Sequence, residues 1–465
     1  MKLYLIDYFL ALHVLRFALH AYMEDAYIVR GGKPLKGEVQ LSGAKNAALK
    51  LIIASLLFEN EVFLSNIPKI KDIEELLFLI KSLGGKAEFI DKNRVVVNRQ
   101  GIGTETIDLL RASKTRVSFM IFAPLLNLFG RAKIPNPGGC RIGLRPIDRQ
   151  IKLMKALGVD VNYDSADGYY HAKLKNRKIK GSIYNFDKPS HTGTEFGIML
   201  GCLADGETVI TNSSLEPEID DLIVFLNRGG AKIKREKNKI YISGVNKLSS
   251  KKEYSINNDR NEAVTYAVFG LATGGDITFL GIEPTVIASF IEKVQAIGGK
   301  VVLKKNRLRF YYDGGLKPTD VITRPYPGFM SDWQAPWAVL MTQANGVSTI
   351  HETVFENRFS YVSQLRKLGA RIEYFQPKVE KAEEFYQFNW LQKEQGLFQA
   401  IKIFGRTRLH NGVLNVSDLR AGASLLIAAS CAFGESVVYG ASVIERGYQE
   451  IDKKLKKLGL EIKKA

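Results

Sequence analysis

Six stretches of the chain, near residues 47–57, 117–128, 194–204, 262–272, 333–343 and 421–432, are apolar on nearly every side of a helical projection. A surface helix shows one apolar stripe, so this pattern predicts six helices buried all round. Between them lie amphipathic stretches that end in glycine and run into strand-like segments. The endings are Ser82-Leu83-Gly84-Gly85, Ala156-Leu157-Gly158-Val159, Arg228-Gly229-Gly230, Ala296-Ile297-Gly298-Gly299, Lys367-Leu368-Gly369-Ala370 and Lys457-Leu458-Gly459-Leu460. Glycine there suits the left-handed residue that closes a helix. Gly84, Gly158, Gly229, Gly298 and Gly369 recur at about 70 residues, and the last interval, to Gly459, is longer. Such a period marks a repeated supersecondary unit, here one of the α/β class with two helices per repeat.

The residues at the starts of the six buried helices are polar. They are Lys45-Asn46, Arg116, the stretch 190–194, Arg260, Asp332 and Arg420. Free N–H groups and the helix dipole make a helix start a place for anions, and four of the six add a cation. One arginine in such a place is ordinarily a surface ion pair. Four at equivalent points of a repeat predict cations that converge. A further stretch, Pro137-Gly138-Gly139-Cys140-Arg141-Ile142-Gly143-Leu144-Arg145-Pro146, sets one thiol among three glycines and two arginines. The arginines favour thiolate over thiol, and Pro146 suits the opening of a helix over 147–157. On this stretch alone, an ordinary glycine-rich turn with an incidental cysteine is an equal reading.

At 465 residues the chain is long enough for two domains with separate cores. Its 46% hydrophobic and 10% aromatic content is that of a globular protein. The three cysteines, Cys140, Cys202 and Cys431, are odd in number and far apart. This argues against a disulfide framework and fits a reducing, cytoplasmic setting. Cys202 and Cys431 fall inside apolar helices and read as packing residues. The six histidines are scattered, and no cysteine pair or histidine cluster offers a metal site. The net charge of +18 fits anionic small substrates, nucleic acid or a lysine-rich surface. Much of the excess lies at 232–237 and 453–457, in strand ends and solvated helix faces, without any nucleic-acid-binding signature, which disfavours nucleic acid. Residues 1–22 are apolar and aromatic but are interrupted by Lys2, Asp7 and Arg16 and lack a small-residue cleavage site. They read as an extension ahead of a start at Met23, or as an accessory helix, rather than as a membrane anchor.

Several motifs, in order along the chain, carry a resemblance. They are Ser42-Gly43-Ala44-Lys45-Asn46-Ala47-Ala48, the Gly-Gly-Cys loop with Arg145-Pro146, Glu216-Pro217-Glu218, Asp332-Trp333-Gln334-Ala335, Glu352-Thr353-Val354-Phe355-Glu356-Asn357-Arg358-Phe359 and Ser417-Asp418-Leu419-Arg420-Ala421. From about residue 27 to the C-terminus the chain resembles the UDP-N-acetylglucosamine 1-carboxyvinyltransferase family. The sister enolpyruvylshikimate-phosphate synthases share the six-repeat architecture but lack the cysteine loop and the Ser-Gly-Ala-Lys-Asn-Ala form. The resemblance implies a two-domain inside-out α/β barrel of six βαβαββ-type repeats, three per domain, with a cleft between. It implies a catalytic domain of 23–44 plus 258–465 and a second domain of 45–257 carrying the cysteine loop.

The reaction implied moves the enolpyruvyl group of phosphoenolpyruvate onto the 3′-hydroxyl of UDP-N-acetylglucosamine and releases phosphate. It opens peptidoglycan synthesis, on which cell-wall growth, shape and division depend, and it needs no metal or organic cofactor. By the same resemblance Lys45, Arg145 and Arg420 hold phosphoenolpyruvate, and Arg116 and Arg358 add to the positive field. Cys140 matches the proton-donating loop cysteine, which forms a covalent adduct with phosphoenolpyruvate and which fosfomycin alkylates. Asp332 matches the carboxylate near the 3′-hydroxyl, the base, and a carboxylate there is also suited to cap its helix. Asn46 orients the sugar. Pro146, Ile147 and Asp148 cradle the uracil, and Lys188 and Val354 are further nucleotide-sugar contacts.

Three places depart from the family. Ser190-His191-Thr192-Gly193-Thr194 replaces a Ser-Val-Gly-Ala-Thr form, and His191 reads there as a surface-loop histidine. Lys114-Thr115-Arg116-Val117-Ser118 replaces a Met-Arg-Ala-Ser form, and Arg116 rather than Arg111 keeps the register to Cys140. The segment 378–396 is polar, aromatic and unlike the family, and it coincides with the long last interval. The first departure keeps open a sister transferase with another acceptor. A non-catalytic nucleotide-sugar-binding paralogue is disfavoured, because Lys45, Cys140, Arg145, Asp332, Arg358 and Arg420 are all present.

Overall fold

The computed structural model describes residues 25–138, 142–143, 146–176 and 178–465. The 1–22 extension, Cys140 and Arg145 lie outside them. Every apolar stretch is helical: Lys45–Ser55, Phe122–Phe129, His191–Cys202, Arg260–Ala272, Ser331–Thr342 and Leu419–Cys431. In the second repeat a 3-10 turn, Arg116–Ile121, precedes the α-helix. Most of these helices begin two or three residues earlier than the apolar pattern does. Their first turns are built from the polar residues at the starts, which takes Lys45, Arg260 and Arg420 into the helices themselves.

The six glycine-ended stretches are amphipathic helices: Lys71–Ser82, Asp148–Ala156, Pro217–Arg228, Ala288–Ala296, Val362–Lys367 and Ile451–Lys457. The left-handed residue after them is Gly84, Gly158, Gly298, Gly369 or Gly459, with φ between 79° and 98°. At the third helix it is Gly230, φ 100°, and not Gly229, which keeps right-handed geometry at φ −82°.

Five four-stranded sheets share one topology among the described residues: an edge strand, a parallel neighbour, then two antiparallel strands. The sixth sheet has three strands, and a single parallel bridge, Thr106↔Lys133, stands where its edge strand would lie. The sheets surround two helical cores. One runs from Ala44 to Ile256. The other joins Tyr27, Val29, Leu35, Val39 and Leu41 to residues between Ala263 and Ile462. The exchange comes from strand pairing. Ala26–Gly31 lies between Gly434–Tyr439 and Glu461–Lys464, and Lys36–Val39 pairs with Asp276–Leu280. In return Tyr254–Ser255 pairs with Val62–Ser65. No helix among the described residues is long and apolar enough to cross a membrane.

Candidate active site

The helix Ser331–Thr342 is preceded by Met330 at the capping position, so Asp332 lies within the first turn and is not its cap. Its carboxylate is used elsewhere. Oδ1 accepts from Arg358 at 2.8 Å, and Oδ2 accepts from Arg420 Nε at 3.1 Å. Asp418 braces both arginines. It caps the helix Leu419–Cys431 by accepting from the Arg420 and Ala421 N–H groups, and it accepts from Arg358 at 3.4 Å. Arg420 also donates to the Tyr448 hydroxyl at 2.9 Å, and that hydroxyl meets Thr265 Oγ1 at 2.8 Å. Burial pushes the Asp332 carboxyl up, but Arg420 and Arg358, with Lys45 behind them, outweigh it and hold it at about 2. The buried arginines remain charged against these carboxylates.

Lys45 comes from the other core. It is the first residue of its helix, its N–H donates to Asp259 at 3.2 Å, and its ammonium lies 2.8 Å from Asp72. Asp72 also accepts from Arg446 Nε at 2.8 Å. Burial raises the Asp72 carboxyl, and Lys45 and Arg446 together bring it below the usual range. Of the four helix-start cations, Lys45 and Arg420 converge on Asp332, where Arg358, from outside the helix starts, joins them. Arg260 is engaged elsewhere, in a two-pronged pair with buried Glu218 at 2.9 Å on each prong. Asp72 and Arg446 were not found from the sequence. Asp72 stands at the start of an amphipathic helix and Arg446 in a short connection, and their pairing spans 374 residues.

The remaining expected site residues occupy varied positions. Asn46 follows Lys45 and is half-buried, and Arg116 opens its 3-10 turn near enough to Tyr170 to bear on that phenol. Ile147 is buried ahead of the helix Asp148–Ala156, with Pro146 and Asp148 exposed beside it. The Val354 N–H donates to buried Glu352 at 2.8 Å. Lys188 reaches across to the backbone carbonyls of Glu383 and Tyr386, at 2.5 and 2.6 Å.

Gly143 also reaches the other core. Gly143 has φ 139°, and a Cβ there would run into the Glu356 carboxylate. Gly143→Ala is expected to lower turnover about tenfold and to lower the melting temperature, because strain of roughly 1–3 kcal/mol falls on the folded state. Steady-state rates and a thermal melt check it.

The stretch 190–194 is not a surface loop. Ser190 caps the helix His191–Cys202 by accepting from the Gly193 N–H, and His191 is the first helical residue. His191 Nε2 lies 3.1 Å from Glu195, which is fully buried and lies 3.1 Å from the Lys50 ammonium on its other oxygen. Burial lowers the His191 pKa, and Glu195 and Glu216 more than reverse this, so it is raised. Cys202 and Cys431 are confined within their helices, and burial pushes the Cys431 thiol up to about 12 and that of Cys202 well above the usual range.

Repeated sheets around two helical cores, with cations and carboxylates gathered from both, define the enolpyruvyl transferase architecture. The family model described as EPSP synthase (3-phosphoshikimate 1-carboxyvinyltransferase) matches residues 29–455. UDP-N-acetylglucosamine 1-carboxyvinyltransferase of Acidobacterium capsulatum is 38% identical over 445 residues, covering 95% of this chain and 96% of that protein. The protein of the same name from Pelagibacter ubique is 38% identical and covers 94% and 98%. In structure the chain is similar to the enolpyruvyl transferase NikO from Streptomyces tendae, with a TM-score of 0.80 at 20% identity and coverage of 94% and 98%. The chain belongs to the EPSP synthase family and, within it, to the UDP-N-acetylglucosamine 1-carboxyvinyltransferases.

Proposed function

We propose that this protein transfers the enolpyruvyl group of phosphoenolpyruvate to the 3′-hydroxyl of UDP-N-acetylglucosamine, in the cytoplasm, as the opening step of peptidoglycan precursor synthesis. The observation that carries this reading is Asp332 held between Arg358 and Arg420, with Lys45 facing it from the other core. Asp332 takes the proton of the sugar hydroxyl as its oxygen bonds to C2 of phosphoenolpyruvate, and Cys140 gives a proton to C3. The tetrahedral adduct then loses a C3 proton and the C2–O bond to phosphate, which leaves the enol ether. Lys45, Arg145 and Arg420 hold the carboxylate and phosphate of phosphoenolpyruvate, and Arg116 and Arg358 strengthen that field. Preorganised cations of this kind favour the charge that develops during addition. Asn46 orients the sugar; Pro146, Ile147 and Asp148 cradle the uracil, and Lys188 and Val354 line the nucleotide-sugar end.

A sister transferase with another acceptor is the second reading. It is favoured by the departure at 190–194, where His191 sets an imidazole beside Glu195, itself paired with Lys50.

The test is phosphate release from phosphoenolpyruvate, with and without UDP-N-acetylglucosamine, before and after fosfomycin. Sugar-dependent release that fosfomycin stops is expected, and Cys140→Ser should escape covalent inactivation. Saturable nucleotide-sugar binding without release would replace the enzyme by a binding paralogue. Absence of both would favour another acceptor.

A further inference from the structure

The segment between strands Arg371–Phe375 and Ala400–Gly405 is folded onto the site rather than held away from it. Tyr386 is fully buried, stacks on Trp390 at 4.5 Å and 7°, and its hydroxyl meets His351 at 2.9 Å. The Gln387 N–H donates to the Thr353 carbonyl at 2.8 Å, directly before Val354. The segment is thus fixed to the strand end that carries one expected nucleotide-sugar contact. From the opposite core Lys188, the other such contact, donates to the carbonyls of Glu383 and Tyr386.

The chemistry of that contact differs from the rest of the site. Lys45, Arg358 and Arg420 each lie against a carboxylate. Lys188 lies against two neutral carbonyls, which orient an ammonium without cancelling its charge. An ammonium has three N–H groups, so one remains for a ligand. Desolvation and nearby Arg149 lower the Lys188 pKa and outweigh the opposing pull of the Asp187 and Glu383 carboxylates, neither of which pairs directly with the ammonium.

We infer that residues 378–396 form a wall of the nucleotide-sugar site and position Lys188 for an anionic group, the diphosphate of the nucleotide. The inference rests on the reaction proposed above. It assigns a role to a segment unlike the family: Lys188 is a binding residue, and the segment is a positioning element acting through it.

The experiment compares the full chain with Lys188→Met, with a variant whose residues 378–396 are replaced by two glycines, and with the two changes combined. Each single change is expected to raise KM for UDP-N-acetylglucosamine about tenfold, the scale of one charge-assisted hydrogen bond. KM for phosphoenolpyruvate and turnover at saturation should stay within about twofold, and the combined variant should be no worse than either single one. Trp390→Ala keeps the chain length and removes the ring stacked on Tyr386; it should shift the same KM in the same direction and decides the matter if the shortened chain does not fold. An unchanged KM for the nucleotide sugar, or effects that multiply, would overturn the inference. A wild-type chain that releases no phosphate would instead overturn the reaction, and this inference with it.

Discussion

Asp332→Asn is expected to lower turnover by roughly 10²–10⁴-fold, the usual contribution of a general base. The amide can keep a hydrogen bond to Arg358 or Arg420 but cannot take the proton of the sugar hydroxyl. Nucleotide-sugar binding should survive, so calorimetric titration would give a Kd near that of the wild type while phosphate release nearly stops. A variant retaining more than about a tenth of the wild-type rate would remove Asp332 from the role of base. The pH dependence carries its own sign. The folded carboxyl titrates at about 2, so it stays ionised at every higher pH. The profile of kcat/KM should therefore show no acid limb from Asp332 above about pH 4. On the proposed reading, bound phosphoenolpyruvate would place two anionic groups among the same arginines and share their field. The Asp332 pKa should then rise in the complex, and any acid limb is expected in kcat.

The largest stability effect is expected at Arg260. Its guanidinium and the Glu218 carboxylate are both buried, and they join the two cores. Arg260→Met leaves Glu218 buried without its partner, a change that costs roughly 3–5 kcal/mol. Denaturant unfolding should show a lower midpoint or a separate first transition as the cores come apart. Burial alone would raise the Glu218 pKa, but Arg260 outweighs it, with His191 adding, and holds it at about 2 against a usual value near 4.5. A depressed carboxylate contributes stability that is complete above its unfolded pKa and is lost as pH falls through the folded one. The wild type should therefore lose this contribution between about pH 4.5 and 2, and Arg260→Met should lack that part of the acid dependence. Equal midpoints for the two proteins at neutral pH would show that the pair is energetically neutral.

The repeats were legible because their signal is dense. A helix apolar on every face has no solvated reading, and a glycine after an amphipathic stretch marks its end. The helix starts were less so. Lys45, Arg260 and Arg420 look like loop residues, yet they form the first helical turns, since polar side chains at a helix start can reach other elements. Arg358 was named only by the resemblance, whereas the convergence of Lys45 and Arg420 followed from repeat symmetry. The diversion of Arg260 to Glu218 did not, because it depends on a carboxylate 42 residues away that no periodicity marks. The pairing of Asp72 with Arg446 was hidden for the same reason. His191 read as a surface residue because its partner Glu195, and Lys50 which pairs with Glu195, look unremarkable until the helices His191–Cys202 and Lys45–Ser55 are packed. The 378–396 segment had no periodicity to read, and its anchoring comes from Tyr386 and Trp390 only once folded.

The strand exchange between the cores sets an order on biosynthesis. Ala26–Gly31 is among the first described strands to leave the ribosome, but both of its neighbours, Gly434–Tyr439 and Glu461–Lys464, are among the last. At translation rates of roughly 5–20 residues per second, it waits about 20–90 s with both edges open. The 44–256 core needs no later strand and closes first, while the nascent N-terminus trails beside it. A stalled or truncated chain would thus present a finished half and an unpaired apolar strand, Tyr27-Ile28-Val29, which is the kind of edge that chaperones must cover.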